Sequence, residues 1–264
     1  MSLSGKVALV TGANKGIGKA IVLAFAREGA DIAAVARDIP TLEEVAQQIR
    51  TLGRRALVVK CDVSKASEVE EMVNKVVESF GRIHILVNNA GVATRGFVLN
   101  MTEDEWDYHM DINAKGTFLC SKYVAQQMIK QGHGGRIVNI ASRAGRVGVA
   151  RLAHYSASKF AVVGFTQALS VELAPYKIGV NSICPGKIAT EMMAREIEWE
   201  AKDRGVSVAD VEKEEYGPIP WGRPGTPEDI AKATVFLASS ESDYITGTTI
   251  NVTGGIDVVR GGQT

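Results

Sequence analysis

The chain has 264 residues, 45% apolar and 23% charged, the balance of an ordinary globular protein with a substantial core. Its 30 Lys and Arg are matched by 30 Asp and Glu, so no net field draws it to nucleic acid or to an anionic membrane surface. No apolar run approaches a membrane span, and the opening MSLSGKVALVTG shows no signal-peptide pattern, so the expectation is a cytoplasmic protein. Cys61, Cys120 and Cys184 are odd in number and far apart, and the four histidines show no His-Glu-x-x-His pattern. Buried reduced thiols are therefore expected, with neither a disulfide framework nor a metal site.

Residues 7–10 are wholly apolar and read as a strand closed by Thr11-Gly12. Ile17, Ala20, Ile21, Ala24 and Phe25 then recur at helical spacing until Gly29. A strand at 31–36 follows, then a helix after Pro40 with Leu42, Val45, Ala46 and Ile49 on one face. Next come a strand at 56–61, a helix near 68–80 and a strand at 83–87. The second half repeats the alternation: a long helix at 103–130 broken near Asn113, a strand at 136–140, a helix within 151–173, a strand at 178–183, a helix at 228–238 and a strand at 248–252. No internal repeat is present. Strands apolar on both faces and separated by helices require a parallel sheet covered on both sides. The expected fold is α/β, a doubly wound (Rossmann) sheet of about seven strands, forming one domain over residues 1–264.

The segment 190–223 breaks this rhythm. It is rich in Glu, Lys, Asp and Arg, carries Trp199, Tyr216 and Trp221, and contains Gly217-Pro218-Ile219-Pro220. Its place after a strand suggests a lid over a site; a solvated pair of surface helices is the other reading.

Gly12-Ala13-Asn14-Lys15-Gly16-Ile17-Gly18 lies between the first strand and the first helix. Glycines there let the backbone turn tightly and let a diphosphate approach the amides of a helix N-terminus, where the helix dipole favours an anion. Further on, Tyr155 and Lys159 stand four residues apart on a helix, which puts both on one face. A neighbouring ammonium stabilises phenolate and should lower the phenol pKa from about 10. Such a phenol can take a proton from an alcohol or give one to a developing alkoxide.

With its first turn reading Thr11-Gly12-Ala13-Asn14-Lys15-Gly16-Ile17-Gly18, the chain resembles the short-chain dehydrogenase/reductase family, whose motif is T-G-x-x-x-G-x-G. The resemblance continues through Asp62-Val63, Asn88-Asn89-Ala90-Gly91, Asn113, Ser142 thirteen residues before Tyr155-Ser156-Ala157-Ser158-Lys159, and Pro185-Gly186. It implies catalytic roles for Asn113, Ser142, Tyr155 and Lys159. Ser142 would bind the substrate oxygen, Lys159 would also bind the nicotinamide ribose, and Asn113 would hold a water of a proton relay; for Asn113 a helix-kink role is the bland alternative. The resemblance also implies that Asn89, Ala90 and Gly91 lie along a dinucleotide, that Asp62 and Val63 meet its adenine end, and that Ile188 and Thr190 approach the carboxamide and diphosphate after Pro185-Gly186.

The second strand ends Ala34-Val35-Ala36-Arg37-Asp38. A carboxylate there reads a ribose 2′-hydroxyl, whereas a cation accommodates a 2′-phosphate. Ala36 occupies the usual acidic position, with Arg37 beside it and Lys15 in the glycine turn, so NADP(H) is the expected cofactor. A shift of register by one or two residues would aim Asp38 at the ribose and leave NAD(H) possible.

The substrate is expected to be a small carbonyl or alcohol, walled by 143–152, by the residues after Gly91 and by 190–223. Arg95, Arg143, Arg146 and Arg151 lie near these walls, either to recognise an anion or as scattered surface arginines. Polyol, acetoin-type and 3-oxoacyl-thioester reductases are the branches resembled most. The family resemblance also implies a homotetramer, with Ala161, Val162, Phe165 and Leu169 available either to a partner or to the chain's own core. A non-catalytic dinucleotide-binding regulator shares this fold but needs no Ser142, Tyr155 and Lys159. A nucleotide-sugar epimerase or dehydratase usually needs more chain for its substrate than follows Pro185.

Overall fold

The computed structural model describes residues 2–258, in which strands and helices alternate. The first half runs β1 (Val7–Thr11), α1 (Gly16–Arg27), β2 (Asp31–Ala36), α2 (Ile39–Thr51), β3 (Ala56–Lys60), α3 (Ala66–Phe80) and β4 (Ile85–Asn88). The second runs α4 (Glu103–His109), a π-helical turn (Met110–Lys115), α5 (Gly116–Gln131), β5 (Gly135–Ile140), α6 (Ala153–Leu173), β6 (Ile178–Pro185), α7 (Glu191–Arg204), α8 (Val208–Tyr216), α9 (Pro227–Ala238) and β7 (Thr249–Val252). The strands form one seven-stranded sheet in the order β3-β2-β1-β4-β5-β6-β7, and every pairing is parallel. This is the doubly wound architecture expected from the alternation.

Strand residues feed two cores in turn, because successive side chains point to opposite faces. Ala8 and Val10 pack with Ile21 and Phe25 of α1, Leu42 of α2 and Ile230 of α9. Val7 and Leu9 pack with Met72 of α3 and Val124 and Met128 of α5 on the other face. The buried asparagines at the sheet centre find side-chain partners. Asn88 and Asn139, opposite each other on β4 and β5, share a hydrogen bond of 2.8 Å. They reach Ser121 of α5 at 2.9 Å and Thr166 of α6 at 2.9 Å. Tyr155 and Lys159 are thus carried on a helix tied through Thr166 to the sheet centre.

One strand departs from the sequence reading, and two other segments are defined more closely. The expected strand 83–87 begins at Ile85, because Gln131 takes both backbone groups of Ile83, at 2.9 and 2.8 Å. The helix expected at 103–130 is interrupted by the π-helical turn, where Asn113 is drawn against the loop after β4. The segment 190–223 contains two helices. Thr190 caps α7 by accepting from Met193 N at 3.3 Å, Gly205 ends it at φ +66°, and Met193, Ile197 and Ala201 gather with Val211 of α8 in a small core. Among the described residues no helix is long and apolar enough to cross a membrane.

Candidate active site

The strand order reverses between β1 and β4, and the loops leaving these two strands open a crevice at their carboxyl ends. The crevice is a cleft with about 1380 Å³ of free space, its open mouth included. Gly12, Asn14, Lys15, Gly16 and Ile17 line one end. Gly12 has φ +64°, and a Cβ on it would stand 2.9 Å from Ala90 Cα. A Cβ on Gly18 would stand 2.0 Å from the Gly12 carbonyl oxygen. Gly18 therefore lies beneath the turn, letting helix and strand approach, and does not line the cleft. No side chain caps the first turn of α1, and that turn holds no acidic residue. A glycine cradle at an uncapped helix N-terminus fits a diphosphate.

The loop after β4 holds this turn in place. Thr11 Oγ1 accepts from the backbone N–H groups of Asn89 and Ala90, both at 3.0 Å. The Asn89 side chain donates to the carbonyls of Thr11 and Gly12, also at 3.0 Å. Asn89, Ala90 and Gly91 all line the cleft, but the Asn89 amide nitrogen is spent on the glycine turn. That role for Asn89, and the clasp by Thr11, were not read from the sequence; the only signal was the Thr preceding Gly12.

Ser142, just past β5, and Tyr155 and Lys159, on the first turns of α6, form the far wall. Ser142 Oγ accepts from Ala144 N at 3.1 Å, which fixes a 3-10 turn at Arg143–Gly145. Lys159 is buried and donates to the Ile140 carbonyl at 3.0 Å; its Nζ lies 5.8 Å from the centre of the Tyr155 ring. Burial pushes the Tyr155 phenol up to about 12, against a hydrogen bond with the Ser142 side chain that draws it down. Burial also draws the Lys159 ammonium down to about 8. The sequence argument expected the ammonium to lower the phenol. In the fold, loss of solvent outweighs an ammonium that is spent on Ile140.

Asn113 does not face the cleft with a free side chain. Its Oδ1 accepts from Val92 N at 2.8 Å, and its Nδ2 donates to the Val92 carbonyl at 3.0 Å and to Ser158 Oγ at 3.0 Å. It lies behind Gly91, where a Cβ would meet Asn113 Oδ1 at 3.1 Å and Lys159 Nζ at 3.4 Å. Pro185, Gly186, Ile188 and Thr190 close the rim on the β6 side.

Arg37, Asp62 and Val63 do not line the cleft. Arg37 is exposed just past β2, and its charge acts on Asp62. The Asp62 carboxylate accepts from Ser64 N at 3.1 Å and Ser64 Oγ at 2.7 Å. Val63 is buried against Gly116, whose Cβ position is 2.7 Å from Val63 Cγ2. Lys15 lies 3.7 Å from Glu191, at the start of α7, in an exposed pair.

The four arginines fit neither sequence alternative as a group. Arg95 is buried among three α7 and α8 carboxylates: it pairs with Glu200, with Glu215 at 3.4 Å and with Glu196 at 3.6 Å. Arg151 holds Asp203 at 2.8 Å and lies over the rings of Phe97 and Trp199, at 4.8 and 5.0 Å. Arg143 pairs with Asp257 at 2.9 Å. Arg146 alone is exposed, with no role apparent in the fold. Arg95 and Arg151 strap the helix pair over the site. Thr190, Met192, Met193 and Glu196 line the cleft, so this helix pair forms part of its wall. Lys187 and Glu196, also in the lining, were missed by the sequence reading, since only tertiary packing brings them to Tyr155.

A cleft at a switch point, with an anion cradle at one end and a phenol beside an ammonium at the other, belongs to the class of dinucleotide-dependent oxidoreductases. The family model described as "short chain dehydrogenase" matches residues 6–201. The chain is 42% identical to a 2-dehydro-3-deoxy-D-gluconate 5-dehydrogenase of Dickeya dadantii, over 96% of each chain. It is 39% identical to a 3-oxoacyl-[acyl-carrier-protein] reductase of Thermotoga maritima, over 97% of this chain and 99% of the other. An NAD+-bound xylitol dehydrogenase superposes with a TM-score of 0.92 at 36% identity, covering 97% of this chain and 100% of the other. The chain belongs to the short-chain dehydrogenase/reductase family and is an NAD(P)-dependent oxidoreductase acting on CH–OH groups.

Proposed function

We propose that the enzyme moves hydride between NADP(H) and a ketone/secondary-alcohol pair, with Tyr155 as general acid and base. The observation that carries this reading is that Ser142, Tyr155 and Lys159 share one cleft with the uncapped glycine turn. The nicotinamide supplies or accepts the hydride when bound. Gly12, Asn14, Lys15, Gly16 and Ile17 would hold its diphosphate, and Arg37 with Lys15 the 2′-phosphate; Ala36 leaves no carboxylate at the end of β2 to select a free 2′-hydroxyl.

The Ser142 hydroxyl donates to the substrate oxygen and stabilises the charge that develops there. The Tyr155 hydroxyl delivers the proton to that oxygen in reduction and removes it in oxidation. The Lys159 ammonium stabilises the phenolate when the proton leaves. Asn113 sets the distance between the loop after β4 and α6 through Val92 and Ser158, which makes it a positioning residue here. NAD(H) with a polyol is the second reading, favoured by the Lys15–Glu191 pair, which occupies one of the two cations assigned to the phosphate.

We also propose a homotetramer in the cytoplasm. Val162 and Leu169 serve the chain's own cores, whereas Phe118 and Phe160 stay exposed on α5 and α6 and are available to a partner. Light scattering reads the assembly. A panel of ketones, sugars and 3-oxoacyl thioesters followed by nicotinamide absorbance tests the activity. Tyr155→Phe should abolish turnover while dinucleotide binding persists; wild-type kcat in that variant defeats the mechanism.

A further inference from the structure

The cleft that holds Ser142 and Tyr155 also takes in residues of α7, and its lining includes the apolar Val92, Val149, Leu152 and Met193. It also includes the charged Arg95, Lys187 and Glu196, which are joined by ion pairs directly or through Glu215. The two cations are already committed. Lys187 pairs with Glu215, and Arg95 pairs with Glu200 and Glu215. An incoming carboxylate would have to displace one of these partners.

Glu196 differs from its neighbours. Its ion-pair partner is Arg95 Nε at 3.6 Å, beyond hydrogen-bond length, and among the described residues that buried Nε has no hydrogen-bond partner of its own. The Glu196 side chain is only 18% exposed, and it lines the cleft that also holds Tyr155. A largely desolvated carboxylate is therefore left with acceptor capacity facing the reacting end of the site. Burial raises its pKa, and its charge is felt by the Tyr155 phenol, which puts the two groups in electrostatic reach of each other. An ionised carboxylate only accepts hydrogen bonds. An alkyl group against it would leave it unsatisfied, and a second anion would be repelled. A neutral hydroxyl is the complement.

We propose that Glu196 determines specificity by accepting a hydrogen bond from a substrate hydroxyl near the reacting carbon, so that the cleft takes polyhydroxylated ketones and the corresponding polyols in preference to plain ketones. This rests on the reading of Tyr155 as the group that exchanges a proton with the substrate oxygen.

The test compares a ketopentose with a pentanone, each reduced by wild type, Glu196→Gln and Glu196→Leu, with dinucleotide affinity measured by fluorescence titration. Losing a hydrogen bond to a charged group should lower kcat/KM for the ketopentose about 10- to 100-fold in Glu196→Leu. Glu196→Gln keeps the shape and one acceptor oxygen, so it should lose less. The pentanone rate should change by a clearly smaller factor, since the Glu196 charge acts on Tyr155 in either reaction, and dinucleotide affinity should stay as in wild type. Pentitol binding, followed by calorimetry in the Tyr155→Phe background where turnover is silent, should weaken by a similar factor on adding Glu196→Gln or Glu196→Leu. If Glu196→Leu does not fold, the isosteric Gln variant decides both measurements. Equal losses on the two ketones, or no loss on the ketopentose, overturn the proposal. A wild type that reduces pentanone but not ketopentose overturns it while leaving the Tyr155 reading intact. A wild type that reduces neither overturns both.

Discussion

The imidazoles of His109 and His154 are both buried with ring centres 3.7 Å apart and planes tilted by 34°, and His154 meets the backbone of Tyr155. Hydrogen bonds fix each ring as neutral. His109 Nε2 accepts from Thr94 N at 3.1 Å while its Nδ1 donates to the Glu105 carbonyl at 2.7 Å. His154 Nδ1 accepts from Tyr155 N at 2.9 Å, and its Nε2 lies 3.3 Å from Thr94 Oγ1. A second proton on either ring would set one N–H against another, and protonating both would place two like charges in contact.

The pair should make stability fall on mild acidification. Burial lowers the pKa of His109 and of His154, and the exposed Glu105 carboxylate, the charged group acting on both rings, offsets this only in part. Burial also lowers His84, to about 4. Unfolded imidazoles titrate near about 6.5, so below that pH the unfolded chain binds more protons than the folded one. Stability is therefore full above about pH 6.5 and declines as pH drops toward the folded values, by at most about 1.4 kcal/mol per histidine per pH unit. Melting curves between about pH 7.5 and about pH 5 should show Tm falling, and His109→Gln should flatten the slope whatever it does to the starting Tm. A wild-type Tm constant over that interval refutes the assignment of neutral rings.

Lys159 should set where alcohol oxidation rises with pH. The Tyr155 phenol, pushed up to about 12 by burial, must be brought down for it to accept a proton near neutrality. The ammonium within the same wall favours phenolate, so Lys159→Met should move the apparent pKa of kcat/KM for oxidation upward and lower the rate at neutral pH by about 100-fold or more. Rate–pH profiles of the two proteins check the direction; an unshifted limb would mean that Lys159 acts only on cofactor binding.

Arg37 should decide between the two nicotinamide cofactors. It stands exposed past β2, beside Ala36, with Asp62 already engaged by Ser64. Arg37→Asp exchanges a phosphate partner for a 2′-hydroxyl acceptor and should move the ratio of kcat/KM for NADP over NAD by about 10- to 100-fold toward NAD. The same ratio before and after the exchange rules the residue out.

What was legible in the sequence follows from how local each signal is. Val7 to Val10 and Ile32 to Ala36 announce buried parallel strands because every residue in them is apolar and can be enclosed on both faces. The glycine turn and the Tyr155–Lys159 spacing are visible because their geometry is set within one turn of helix. A helix pair was one of two readings of 190–223, and no periodicity chose between them, because only Met193, Ile197, Ala201 and Val211 are buried along α7 and α8, too thin a stripe among charges. The π-helical turn was half visible: a break near Asn113 was expected, but its cause, the pull of Val92 on that side chain, lies 21 residues away in the chain. Glu196, Lys187 and the histidine pair depend on elements remote in sequence, and no spacing rule reaches them.

Arg95 should be what keeps α7 and α8 over the cleft. Its guanidinium is buried and serves Glu196, Glu200 and Glu215, on both helices, from a loop that belongs to the sheet. Removing one partner of a buried pair leaves the others as uncompensated charge, at a cost of about 3–5 kcal/mol when burial is complete; the side chains here keep 11–18% exposure, so the lower part of that range applies. The packed sheet does not share this cost, because the cluster of Met193, Ile197, Ala201 and Val211 is separate from the two main cores. In Arg95→Met the helix pair should therefore loosen while the remainder holds: limited proteolysis should cut within 191–216 sooner than in wild type, and KM for substrate should rise more than kcat falls. Adding Glu200→Gln to Arg95→Met removes one of the stranded charges, leaves Glu215 to Lys187, and should recover part of the protection. Proteolysis of Arg95→Met at the wild-type rate, or a uniform loss of Tm with no preferred cut, would show that the arginine stabilises the whole fold instead of its cover.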